Sequence, residues 1–181
     1  MTGRFVILLT LVLAAALVHS ARGVSAQNGS APVRPIATST VGPWEIVVWG
    51  AGKRVNHCTV VRAEPRADEP KFGVLVDQRG GVLSVDTAAW QLTPNTEILA
   101  MLVPAAGARH PLVVKPVSPT RANIAFGIGD SLLDEIQASE YLDISIRAMT
   151  VRVATEDFNT ARVVFDICVQ KIGADWRSPN G

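Results

Sequence analysis

The chain is poor in the residues that carry most side-chain chemistry. It has three histidines and two cysteines in 181 residues. His19 lies in an N-terminal apolar region, which leaves His57 and His110. A zinc site needs three or four convergent ligands at recognisable spacing, and these residues do not supply them, so no metal is expected. No C-x-x-C pair exists to tune a reactive thiolate. His57 adjoins Cys58, but neighbours on a strand face opposite sides, which disfavours a Cys–His catalytic pair. No G-x-S-x-G elbow and no phosphate-binding loop occurs. Gly127-Ile128-Gly129 begins like a dinucleotide loop, but Leu132 stands where the third glycine should be. That stretch reads as a turn before a helix, and no cofactor is expected.

Long apolar runs are absent beyond the first residues. Arg4 precedes an apolar run of about 14 residues, Phe5 to Val18, and the segment ends in Val24-Ser25-Ala26. This pattern predicts a secretory signal peptide over residues 1–26, cut before Gln27. The run is shorter than the roughly 20 residues a membrane-crossing helix needs. No cysteine follows it to carry a lipid anchor. The cleaved chain is therefore expected in the periplasm or secreted, with no transmembrane span.

An excess of either charge is also lacking. Two of the 17 basic residues, Arg4 and Arg22, fall within residues 1–26, so residues 27–181 hold 15 basic and 16 acidic side chains, a net charge of −1. That balance is no footprint for nucleic acid or an anionic membrane. The remaining length suits one domain.

What is present is a series of short apolar segments separated by turn residues. Residues 27–41, rich in Ser, Thr, Ala and Pro, read as a disordered leader. A single β-rich domain is expected over 42–173. Its strands are Trp44–Trp49, Val55–Arg62, Phe72–Val76, Val82–Val85, Glu97–Val103, Leu112–Lys115 and Ala122–Gly127. A short helix is expected over Ser131–Ser139, capped by Asp130 or Ser131, burying Leu132, Leu133 and Ile136. Leu142–Ile146 and Thr150–Val153 read as a hairpin. Thr155 is placed to cap a second helix, with Glu156 and Asp157 in its first turn. Phe158, Ala161, Phe165, Cys168 and Ile172 form one apolar stripe along it. Residues 174–181 read as a tail. The class is α+β, mainly antiparallel: a sandwich or partly open barrel with a C-terminal helix packed on it.

The stripe turns Cys168 inward. In an oxidising compartment a lone pair of cysteines is expected to join, the alternative being two buried thiols. A Cys58–Cys168 disulfide would close a loop of about 110 residues, worth roughly 4–5 kcal/mol in the chain-entropy model.

Trp44 and Trp49 fall on opposite faces of the first strand, so one is core and the other is available to a surface. Trp49 with Lys53 and Arg54 near the following turn makes a candidate binding surface, since aromatic and Arg side chains dominate binding hot spots. Asp134, Glu135, Glu156 and Asp157 could serve a hydrolase only if they converge in one cleft, because carboxylate catalysis needs no linear motif.

Gly42-Pro43-Trp44-Glu45-Ile46, Trp49, Lys53, His57-Cys58-Thr59 and Arg62 resemble small exported bacterial proteins related to the invasion-associated locus B family. The similarity extends through Trp90-Gln91-Leu92 and from Leu132 to Cys168. Members carry further mid-chain cysteines, and this chain has none between Cys58 and Cys168. The resemblance implies an exported β-rich domain without enzymatic activity and a role in host interaction. It brings no catalytic residues. The expected function is a non-enzymatic envelope or secreted protein that binds an unknown protein or envelope component. The alternative is an exported hydrolase with a motif-free carboxylate site.

Overall fold

The computed structural model describes residues 31–63, 69–105, 108–127 and 131–176. The expected signal peptide and its cleavage point lie outside them. Ten strands run in the order β1 (Arg34–Val41), β2 (Trp44–Ala51), β3 (Arg54–Arg62), β4 (Lys71–Asp77), β5 (Gly80–Asp86), β6 (Ile98–Pro104), β7 (His110–Pro116), β8 (Arg121–Phe126), β9 (Tyr141–Ile146) and β10 (Met149–Ala154). Helix α1 (Leu132–Gln137) precedes β9, and α2 (Phe158–Val169) follows β10.

The strands form one open antiparallel sheet with the spatial order β1-β2-β3-β4-β5-β8-β7-β6-β9-β10. β1 to β5 are a meander of hairpins. The chain then leaves for the β6–β7 hairpin before β8 returns to pair with β5. β8 and β7 share only the pairs Lys115↔Asn123 and Pro116↔Ala122, so a short ladder links the six strands on one side to the four on the other. The β9–β10 hairpin completes the sheet on the free edge of β6.

One core joins both parts. Alternation sends Trp44, Ile46 and Val48 of β2 inward, with Cys58 and Val60 of β3, Val74 and Val76 of β4, and Ile144 and Ile146 of β9. Phe158, Ala161, Phe165 and Cys168 of α2 meet them from the same side, as do Leu132, Leu133 and Ile136 of α1. Trp44 is fully buried. Its indole N–H donates to the Glu156 carbonyl at 2.8 Å, and its ring meets Phe158 and Phe72 edge-on at 5.0 and 5.9 Å. The disulfide is formed: Cys58 and Cys168 are bonded, with Cα atoms 6.1 Å apart, which ties α2 to β3.

Three expectations need correction. Residues 34–41 are not a disordered leader but edge strand β1, paired with β2 from Arg34↔Gly50 to Val41↔Trp44 with a bulge near Pro35. Its order comes from the ladder and from Ile36 and Ala37 packing on the core, rather than from apolar content of its own. The tail is docked as far as Trp176. Asp175 bridges Arg54, and the backbone N–H of Trp176 donates to the Lys53 carbonyl at 2.7 Å. Finally, Thr155 does not cap α2. Its hydroxyl donates to the Ser139 carbonyl at 2.6 Å, and the cap position belongs to Asp157, in left-handed backbone at φ 60°. Glu156 and Asp157 thus precede the helix instead of entering its first turn.

Candidate binding surface

The outer face of β2 to β5 and β8 carries side chains in rows set by register. One row runs Pro35, Trp49, His57, Asp77. The next runs Val47, Thr59, Leu75, Val82, Ala125. A third runs Glu45, Val61, Gly73, Ser84, Asn123. Both helices pack on the opposite, inner side, so no described helix covers this face.

Trp49 belongs to that outer face and not to the core. Its ring stacks on His57 at 5.5 Å, nearly parallel, and its indole N–H donates to the Thr59 hydroxyl at 3.0 Å. Two contacts therefore hold a half-exposed aromatic in one orientation. Burial against the indole lowers the His57 pKa, and the Asp77 carboxylate pulls it partly back.

Beside the tryptophan lies a shallow groove of 360 Å³ lined by Thr59, Val61, Leu75, Val82, Val117 and Asn123, among others. Gly73 makes its floor: a Cβ there would come within 2.8 Å of a Val61 methyl. Val117 at the rim is 50% exposed. The Oδ1 of Asn123 is buried and receives no hydrogen bond within the described residues. It is an acceptor in a groove that also carries the apolar Val61, Leu75 and Val82, a combination that orients a bound group. At the far end Arg121 makes a two-nitrogen contact with Asp86 at 2.9 and 3.2 Å.

Lys53 sits on the β2–β3 turn and Arg54 opens β3, and neither lines the groove beside Trp49. Lys53 lines a different depression, of 470 Å³, with Arg34, Pro35, Ile36, Gly52 and Trp176. Pro35 links the two places, because it is also the cross-strand neighbour of Trp49. Sequence reasoning assigned neither Arg34 nor Trp176 to a site, since Arg34 stands on the segment read as a disordered leader and Trp176 on the segment read as a tail. The one available signal was Ile36 followed by Thr38, Thr40 and Val41, residues that favour a strand.

The four carboxylates do not converge. Glu135 is tied to His110 and Ser131, Asp134 lies 3.4 Å from Arg162, and Glu156 lies 3.3 Å from Arg62. Glu156 and Asp157 line a shallow hollow with Glu140, apart from the other pair. Desolvation raises the Glu135 pKa, but hydrogen bonds from His110 and Ser131 outweigh it and hold the group below its ordinary value. Here the glutamate bridges serine and histidine, and the histidine is not placed to take the serine proton. No cluster of three or more His, Cys, Asp or Glu suited to a metal occurs among the described residues.

The fold and surface together define an α+β domain: an open ten-stranded antiparallel sheet, a disulfide-tied C-terminal helix, and an outer face of mixed apolar and polar side chains that no described helix covers. Compared with known protein families, curated proteins and solved structures, the chain matches none.

Proposed function

We propose that this is an exported, non-enzymatic envelope or secreted protein that binds a partner through the surface around its first hairpin. The partner is a protein or another envelope component. The observation that carries the reading is Trp49, an indole fixed by His57 and Thr59 outside the core and beside an uncovered groove. Lys53 and Arg54 extend that surface at the end of the hairpin. Rigid aromatic anchors of this kind contribute most of the free energy at binding interfaces. The disulfide is compatible with an oxidising compartment. Resemblance to the invasion-associated locus B family adds a host-interaction role to the proposal. No described helix is long and apolar enough to cross a membrane, in keeping with a chain released after signal cleavage.

The test is crosslinking in intact envelope, followed by recovery of the wild-type chain and of Trp49→Ala. Capture by the variant should fall on the order of tenfold or more. Its thermal midpoint should stay within about 2 °C, because a surface substitution costs only a few tenths of a kcal/mol. Equal capture by both proteins would contradict the assignment. A hydrolytic activity abolished by Asp134→Asn or Glu156→Gln would replace it with the hydrolase reading.

A further inference from the structure

The depression at the end of the first hairpin has features that the outer face lacks. It is built from three parts of the chain: the start of β1, the β2–β3 turn and the segment after α2. That last segment is fastened along the turn. Val55 donates to the Ala174 carbonyl at 2.9 Å, Gly173 to the Val55 carbonyl at 2.9 Å, and Trp176 to the Lys53 carbonyl at 2.7 Å. These bonds fix the backbone that carries Trp176, whose half-buried side chain packs against the core and lines the depression. Arg34 and Lys53 supply two cations to the lining, both exposed, and no described carboxylate pairs with either side chain. Arg54, the first residue of β3, adds a third cation nearby, and its backbone bridges Asp175.

Two unpaired cations facing one depression call for a dianion more than for a single carboxylate. The guanidinium offers a planar fork and the ammonium a point charge, a pair that suits the oxygens of a phosphate monoester. The adjacent indole face calls for a flat, partly apolar body. A sugar ring offers one through its C–H faces. We propose that this depression binds a phosphorylated sugar, with the phosphate between Arg34 and Lys53 and the ring against Trp176. Trp49 does not line it, although Lys53 is shared with the surface proposed above; Trp49→Ala tests that surface and leaves this depression intact, so the two readings fail separately.

The test follows the indole N–H signals of the oxidised, ¹⁵N-labelled protein by NMR. Glucose 6-phosphate should shift the Trp176 signal saturably and leave the buried Trp44 signal in place. Inorganic phosphate should bind more weakly, and glucose should give no shift. The double substitution Arg34→Gln with Lys53→Gln should weaken binding at least tenfold, whereas Lys115→Gln, an exposed cation on β7, should not. Raising salt should weaken binding further, because exposed charges are screened. Flotation with phosphatidylcholine vesicles carrying phosphatidylinositol 4-phosphate tests a membrane-borne source of the same chemistry. Co-flotation assigns the ligand to a lipid headgroup, and soluble binding alone assigns it to a free sugar phosphate. Failure of both arms up to about 10 mM ligand, weaker than any affinity of use, overturns the proposal. So does unchanged binding by the double variant. Equal binding of inorganic phosphate overturns the ring contact.

Discussion

Alternation along β2 sends Trp44 inward and Trp49 outward, and each ring meets a different fate. Trp44 is sealed by Phe72, Phe158 and a hydrogen bond to the Glu156 carbonyl. Truncating it opens a large cavity and leaves that carbonyl without its donor. Trp44→Ala should therefore cost about 3–5 kcal/mol in urea unfolding. A loss under about 1 kcal/mol would show that the ring is not the anchor described. The opposition of the two rings was legible from their spacing in a strand. So was the inward turn of Cys168, from the stripe it shares with Phe158, Ala161 and Phe165. The sites of Arg34 and Trp176 were not legible, because the weak strand signal after Arg34 does not say what the strand pairs with and nothing local marks the docking of Trp176. Their positions depend on pairing with β2 and with the β2–β3 turn, contacts made across the fold.

At the scale of elements, the strands and hairpins with apolar alternation were readable, and so were both helices. The ends were less so. β1 is polar and half-exposed because it is an edge, with one face on the core and one ladder, and its composition resembles a linker. The start of α2 was misplaced because Thr155 had a better acceptor in the Ser139 carbonyl, a contact 16 residues away in sequence. The β1–β2–β3 junction depends on close approach at Gly50. A Cβ there would lie 2.4 Å from the Arg54 carbonyl oxygen and 2.8 Å from the Ile36 side chain. Backbone cannot yield as a side chain can, so Gly50→Ala should destabilise the domain by about 1–3 kcal/mol. Amide exchange should localise the loss, with β1 losing protection first. Unchanged stability together with unchanged β1 protection would contradict the described pairing.

For the whole molecule, the α+β class and the C-terminal helix on the sheet follow from the order of the segments. Strand order does not. The β5–β8 and β6–β9 pairings bring together segments separated by other strands, and no local signal specifies which edges meet. The disulfide is the covalent one among these long-range connections, spanning 110 residues. Its place between β3 and α2 holds the helix over the core that the meander builds. The functional account rests on one prior event: the chain must leave the cytosol and oxidise before it can meet an envelope partner. Intact-mass analysis of the native protein, run with and without reduction, tests this most directly. The account predicts a chain beginning at Gln27 whose mass rises by about 2 Da on reduction, from the two hydrogen atoms gained as the reductant's two electrons and two protons convert the disulfide to the Cys58 and Cys168 thiols. A product that keeps Met1, or one whose two thiols alkylate without reduction, would contradict it.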